Sequence, residues 1–445
     1  MGTKPIGKLL VHMAVPMVLS MLVQALYNVV DSIYISRVSE SAVTALSLAF
    51  PVQNLMIGTS IGLAVGVSAL LSRYLGSHEM DKVRKMAPTG VFLSACGMAI
   101  FMLFGIFGAG PFFRMQSTVQ ETVEGGSAYI AICTIASVGI FFEVLFERLL
   151  QATGRTIYTL VTQGVGAVLN ILLDPVFIFG YFGIPAMGIA GAAVATVIGQ
   201  IVAAILAFIF NWKKNPEACV DFRGWKPEWP LIREVLGIGV PSIAMMAVGS
   251  FMTFGMNQIL QRFSETATGV FGIYYKVQSF IFMPVFGLNN GMIPIVAYNY
   301  GARKPERIGK TVRLSCAAAF VVMTLGFAVF QAAPEAVLGI FDPSDAFMAI
   351  GCRALRTISW AFLLASFGVV LSAVFQALGS GVYSTIVALA RQLLVLLPVA
   401  DLLSLTGNLD LVWWAFPIAE LVSAADTALF LRRTYRTKLK PLYQN

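Results

Sequence analysis

"SESAVTALSLAFPVQN" (residues 39–54) and "SETATGVFGIYYKVQS" (residues 264–279) open on the same Ser-Glu pair and both close through Val-Gln. They lie 225 residues apart, and that offset holds well beyond them. It pairs Pro16 with Pro241, Gly62 with Gly287, Gly66 with Gly291, Gly76 with Gly301 and Lys85 with Lys310. Still without a gap, "QATG" (151–154) meets "QALG" (376–379) and Tyr158 meets Tyr383. One ungapped offset over so long a stretch marks an internal duplication.

The medium in which the two copies fold is set by composition. Of 445 residues, 58% are hydrophobic and only 12% charged, against roughly 25% charged in a soluble domain. Mean hydropathy is +0.81. Apolar runs of spanning length, about 20 residues, fall at 9–36, 45–72, 88–110, 127–151, 157–180, 187–210, 232–260, 268–297, 311–332, 350–376, 381–405 and 411–431. The first run is too long for a signal peptide and lacks a cleavage site, so it reads as a span. Six spans per copy leave both copies in the same orientation, related by an axis along the membrane normal. The expected fold is an all-α polytopic membrane protein, with twelve transmembrane helices as two parallel six-helix repeats around a central cleft. The N-terminal lobe is 1–211 and the C-terminal lobe 231–445. The cytoplasmic loop 212–230 joins them, within "NWKKNPEACVDFRGWKPEW" (211–229).

Charge gives the orientation. Of 30 Lys and Arg residues, 23 fall in the termini, the connections on their side and the span ends next to them, five (Arg37, Arg114, Arg262, Arg353, Arg356) fall towards the opposite side, and Lys276 and Arg391 lie deep inside spans. Positive residues mark the cytoplasmic side, so both termini are expected there, in a multi-pass protein of the cytoplasmic (inner) membrane. This placement accounts for the net charge of +8 without a nucleic-acid partner. Five scattered cysteines and two isolated histidines provide neither a disulfide framework nor a metal or nucleophile set. No catalytic residue and no cofactor is expected.

Ionisable residues inside the spans carry the functional signal, because charge in hydrocarbon is costly. Ser20, Gln24, Tyr27, Asn28 and Asp31 share one face of the first helix. In "LNILLDP", Asn170 and Asp174 lie one turn apart, and Pro175 removes a backbone donor and frees a carbonyl. "AGAAVAT" supplies small residues for close packing, with Thr196 one turn after Ala192. Carboxylates, an amide and a hydroxyl form the oxygen set that suits a hard cation or a proton carrier.

"YNVVDSIYIS" after Pro16, "NILLDPVFIFG", "GIAGAAVAT" and "KVQSFIFMPVFGLNNGMIPIVAYNYGARKPER", together with the six-plus-six repeat, resemble the MATE (multidrug and toxic compound extrusion) transporters. The resemblance covers essentially the whole chain and is strongest to bacterial branches with a cation site in the N-terminal lobe. It implies a site of Asp31, Asn170, Asp174 and Thr196 with the Ala192 carbonyl, and a helix 1 bend at Pro16 coupled to protonation. The connection "GYFGIPAM" is longer than the family pattern. The C-lobe acidic pair of other branches has no counterpart, since Asp31 aligns with Met256 and Asp174 with Val399.

Structural alternatives stand beside these roles. Asp31 could hydrogen-bond Asn28 or Tyr27, Asp174 could be an N-cap or interface residue, and Asn170 and Thr196 could be interhelical glue. Glu147 beside Arg148 suits a boundary salt bridge, whereas the deeper Glu143 joins Gln24, Tyr27 and Asn28 as a substrate or cleft residue. Lys276, Arg391 and Glu420 are expected to form a C-lobe charge network, because buried charges need partners. The function expected is a monomeric cation-coupled antiporter, driven by H⁺ or Na⁺, that exports amphipathic, mostly cationic organic compounds through the lipid bilayer. Na⁺ as coupling ion is the only metal expected. The rivals are a lipid-linked precursor flippase, a membrane-embedded enzyme and a channel.

Overall fold

The computed structural model describes residues 1–341 and 344–443; the side chains of 28, 29, 32, 36, 40, 41 and 43 fall outside that description. Helices fill the N-terminal repeat: α1 (Ile6–Ser36), α2 (Glu40–Ser77), α3 (Met80–Phe107), short α4 (Ala109–Gln116), α5 (Gln120–Ile135), α6 (Val138–Ala152), α7 (Thr156–Phe179) and α8 (Ile189–Lys214). The second repeat holds α9 (Trp229–Gln261), α10 (Glu265–Gly301), α11 (Pro305–Ala332), short α12 (Pro334–Gly339), α13 (Asp345–Ile358) and α14 (Trp360–Ala377). It ends with α15 (Gly381–Leu389), a π-helical stretch at Ala390–Leu396, α16 (Leu397–Ser404), α17 (Leu409–Val412) and α18 (Ala415–Thr434). Among the described residues, 11 helices are long and apolar enough to span, or 12 if the pair α5 and α6 is one span.

That pair differs from the single helix expected at 127–151. It bends by 44° between Ile135 and Val138, where Ala136 adopts φ −92°, ψ 24° and the helical ladder stops. Both repeats begin their second helix with the same cap. Ser39 Oγ accepts from the Ala42 N–H at 3.1 Å and Ser264 Oγ from the Ala267 N–H at 3.0 Å, as N-cap serines do. The duplicated Ser-Glu pair is therefore a duplicated helix start.

The chain packs as two compact units, and their boundaries lie inside helices. One unit is Leu19–Ile243; the other joins Met1–Val18 to Ala244–Asn445. The first half of α1 thus packs with the C-terminal repeat, and the first half of α9 with the N-terminal repeat. Each boundary falls two residues after a proline of the repeat, Pro16 or Pro241. α1 itself is assigned as continuous helix through Pro16.

Small residues hold each exchanged half-helix. A Cβ at Gly66 on α2 would sit 2.5 Å from the Val235 carbonyl oxygen of α9, and one at Gly62 would sit 2.8 Å from that of Gly239. In the other unit, a Cβ at Gly287 on α10 would meet Val18 Cα at 2.6 Å, and one at Gly291 would meet Ala14 Cα at 2.8 Å. Without an apolar solvent penalty in lipid, such backbone-close packing is a main source of helix association. On the polar side, Tyr74 Oη donates to Glu234, tying α9 to α2. Arg307 Nη2 donates to the Met1 and Lys4 carbonyls at 2.8 and 2.7 Å, tying the start of the chain to α11.

The connection between the repeats is anchored to the N-terminal one. Trp225 Nε1 donates to Thr89 Oγ1 at 3.3 Å, and Arg155 Nη1 donates to Asn215 Oδ1 at 2.7 Å and Glu217 Oε2 at 2.6 Å.

Candidate functional site

Two glycines bring α7 and α8 close enough to build a shared site. A Cβ at Gly199 would sit 2.9 Å from the Gly166 carbonyl oxygen, and one at Gly191 would collide with the Phe177 carbonyl. The "AGAAVAT" run is therefore an interhelical seam, with its Ala192 fully buried. Across this seam Asn170 of α7 bridges Asp174, on its own helix, and Thr196 of α8. With its amide turned to satisfy both ends, Asn170 donates to Asp174 Oδ2 at 3.3 Å. Its oxygen accepts from the Thr196 N–H at 3.1 Å and the Thr196 hydroxyl at 3.2 Å. Asp174 is 0% exposed. It sits mid-helix, followed by Pro175 with the helix running on to Phe179, so it is no N-cap.

Asp31 approaches from α1. Its Oδ1 is buried and has no hydrogen-bond partner among the described residues. An unpaired carboxylate oxygen is expensive in a low-dielectric interior, and so marks a place where a proton or cation belongs. Beside it Gln53 of α2 donates to Tyr129 Oη at 2.8 Å.

Next to this cluster lies a cavity of about 580 Å³ whose lining includes Gln24, Tyr27, Glu143, Glu147, Gln163, Asn170, Thr196 and Gln200. The structure thus brings together the predicted Gln24, Tyr27, Glu143, Asn170 and Thr196, with Asp174 hydrogen-bonded behind them. The predicted Asn28 has a side chain outside the described residues. Glu147 does not snorkel out of the protein. It is 3% exposed, and its carboxylate accepts from Thr162 Oγ1 at 2.6 Å and Gln163 Nε2 at 2.7 Å. Glu147→Leu is expected to strand these donors and cost about 1–3 kcal/mol, with Glu147→Gln milder. Thermal unfolding in detergent checks this, and equal losses would show that the bonds do not matter.

Gln53, Thr162, Gln163 and Gln200 were not read from the sequence. Gln53 had a signal: it is the conserved-offset partner of Gln278 in the two opening stretches.

The C-lobe network is smaller than expected. Arg391 Nη1 and Glu420 Oε1 pair at 2.8 Å, with side chains 23% and 12% exposed. Lys276 is not with them. It falls on an exposed stripe of α10 with Gly272 and Phe280, opposite the buried face of Phe271 and Tyr274. Depth in the helix matched that of Arg391, but rotation about the helix axis did not.

Two six-helix repeats, each with a polar cavity among its own helices, define a polytopic transporter with no catalytic constellation evident among the described residues. The MatE family profile matches residues 16–176 and 241–400, once in each repeat, and the chain belongs to this family. Its relatives include the multidrug export protein MepA of Staphylococcus aureus (strain bovine RF122 / ET3-1), 25% identical over 430 residues and covering 96% of this chain and 94% of the relative. MepA of Staphylococcus haemolyticus (strain JCSC1435) is 24% identical over 435 residues, with 98% and 95% covered. Among solved structures, a multidrug resistance MATE transporter of the MOP superfamily in an outward-facing conformation superposes with a TM-score of 0.91 at 25% identity, covering 99% of this chain and 98% of that one. The fold is accordingly the twelve-helix fold of MATE transporters.

Proposed function

We propose that this chain is a cation-coupled exporter of amphipathic organic compounds, and that Asp31, Asp174, Asn170 and Thr196 carry the coupling ion. The observation that carries the reading is the buried Asp174–Asn170–Thr196 chain with the unpartnered Asp31 Oδ1 beside it. The names of the MepA relatives support multidrug export. Their family supports cation coupling.

The Asn170 amide faces Asp174 as a donor and Thr196 as an acceptor, so the ionised carboxylate keeps a neutral hydrogen-bond partner. The donor set is all oxygen, which suits Na⁺ as cargo as well as H⁺. Neutralisation then biases the α1 arrangement through Asp31, and a ligand drives such a change only through its unequal affinity for the two states.

Glu143 and Glu147 in the cavity suit a cationic substrate, with Tyr27 and the glutamines as neutral contacts. A precursor flippase would need cationic residues for a pyrophosphate, and the residues lining this cavity include no Lys or Arg.

Purified protein in proteoliposomes, loaded with a fluorescent organic cation and given pH and Na⁺ gradients separately, tests the proposal. At least one gradient should drive accumulation. Movement under neither gradient would sink the coupling. Orientation has its own check: a reporter at Lys214, or after Asn445 (beyond the described residues), should report cytoplasm, and a periplasmic signal at either place would reverse the topology.

A further inference from the structure

The C-terminal repeat has a cavity of its own, about 550 Å³, lined by Arg391, Gln392, Glu420, Gln278 and aromatic side chains including Tyr275 and Phe416. It occupies the position equivalent to the N-lobe cavity. At the 225-residue offset its Met252, Ala365, Arg391 and Gln392 correspond to Tyr27, Ile140, Gly166 and Ala167, all of which line the first cavity. The chemistry differs. The N-lobe cavity offers carboxylates and amides; where it has Gly166, this one has a guanidinium, paired with a carboxylate at 2.8 Å.

Two features set this pair apart from a packing device. Arg391 and Gln392 lie on the π-helical stretch Ala390–Leu396. Pro398, just beyond, has no N–H and crowds the carbonyl four residues back, and the helix winds wider there; such π segments gather at functional sites. In addition, Gln392 Oε1 is buried with no hydrogen-bond partner among the described residues. The cavity therefore presents a cationic donor, an anionic acceptor and an unused neutral acceptor against an aromatic wall.

We propose that this C-lobe cavity is a second ligand site, and that it takes aromatic zwitterions bearing a carboxylate and an ammonium group. The ligand's carboxylate binds Arg391, and its ammonium binds Glu420 and Gln392 Oε1. Opening a half-buried ion pair for a ligand with one charge leaves the other member unpaired, at a cost that grows with its desolvation. A ligand with both charges replaces each partner, so only a zwitterion exchanges the pair without orphaning a charge. Guanidinium–carboxylate recognition adds direction as well as energy. The site widens the cargo beyond the cations that suit the acidic N-lobe cavity. It stands on the C-lobe geometry alone, and its test uses equilibrium binding without a gradient, so it can fail or hold independently of cation coupling.

The test uses three probes with one tail. Nε-dansyl-lysine carries ammonium and carboxylate, dansylcadaverine lacks only the carboxylate, and 6-(dansylamino)hexanoic acid lacks only the ammonium. Full-length protein in nanodiscs is titrated with each by fluorescence. The zwitterion should bind about ten-fold more tightly than either single-charge probe, as expected for one charge-assisted contact. Folded Arg391→Gln should reduce its preference over dansylcadaverine, and folded Glu420→Gln its preference over 6-(dansylamino)hexanoic acid, to about two-fold or less. Gln392→Leu, which leaves the ion pair intact, should weaken the zwitterion several-fold, and it carries the test if neutralising the pair prevents folding. A zwitterion that the wild type binds no more tightly than the anionic probe, or a zwitterion affinity unchanged by Arg391→Gln and Glu420→Gln, overturns the proposal and leaves the pair a structural one.

Discussion

Asp174→Asn is expected to give a folded, inserted protein that still binds an organic cation but accumulates none against a gradient. The substitution keeps shape and removes only the ability to alternate between charged and neutral forms. Asp174 is 0% exposed, and Asn170 remains beside it as a bonding partner, so the packed seam of α7 and α8 survives. Coupling does not survive. Moving a two-state equilibrium from 1:99 to 99:1 takes about 5.5 kcal/mol of differential binding, and a site that no longer exchanges the cation supplies none of it. Asp31→Asn should behave in the same way, because its buried Oδ1, without a hydrogen-bond partner among the described residues, loses the same alternation between charged and neutral forms. The double variant should be no worse than either single one. Uphill accumulation in proteoliposomes measures this, and additive losses would mean two independent roles.

The second large effect concerns the glycine contacts that hold the exchanged half-helices. Gly291→Ala should destabilise the protein by about 1–3 kcal/mol or more, the range for overpacking. The new Cβ would lie 2.8 Å from both Ala14 Cα and Ala14 N, and backbone cannot rotate aside as a side chain can. Gly66→Ala, at 2.5 Å from the Val235 carbonyl oxygen, should be at least as severe. Gly309 on α11 is the control, with open space around its added Cβ. There, Gly→Ala in a helix should stabilise by up to about 1 kcal/mol. Thermal unfolding in detergent separates these cases. If Gly291→Ala and Gly309→Ala shift the midpoint alike, the close packing is not what holds α1 to α10.

Much of this was legible because it repeats or is periodic. The offset that pairs Gly62 with Gly287 and Gly66 with Gly291 already marks the contact glycines, and the four-residue spacing of Asn170 and Asp174 already places them on one face. The exchange of half-helices was not legible, since the residues on either side of Pro16 and Pro241 are mostly apolar and nothing there tells which bundle each half joins. Hydropathy also cannot see the break at Ala136, because apolar residues continue on both sides of it without a Pro or a polar loop. Lys276 and Arg391 looked alike for a related reason: each is about ten residues into its helix, but hydropathy gives depth and not rotation. A lone glutamine in a span reads as interhelical glue, and only the partners Tyr129 and Glu147, brought close by the fold, distinguish Gln53 and Gln163.

The central claim is that Asp31 and Asp174 change state with the coupling ion in each cycle. The most direct measurement compares two fluxes in the same Asp31→Asn proteoliposomes: gradient-driven accumulation of a fluorescent cation, and its exchange at equal concentrations with no gradient. The predicted result is that accumulation falls to background while exchange persists. Accumulation at the wild-type rate would contradict the account and make the carboxylate a structural residue.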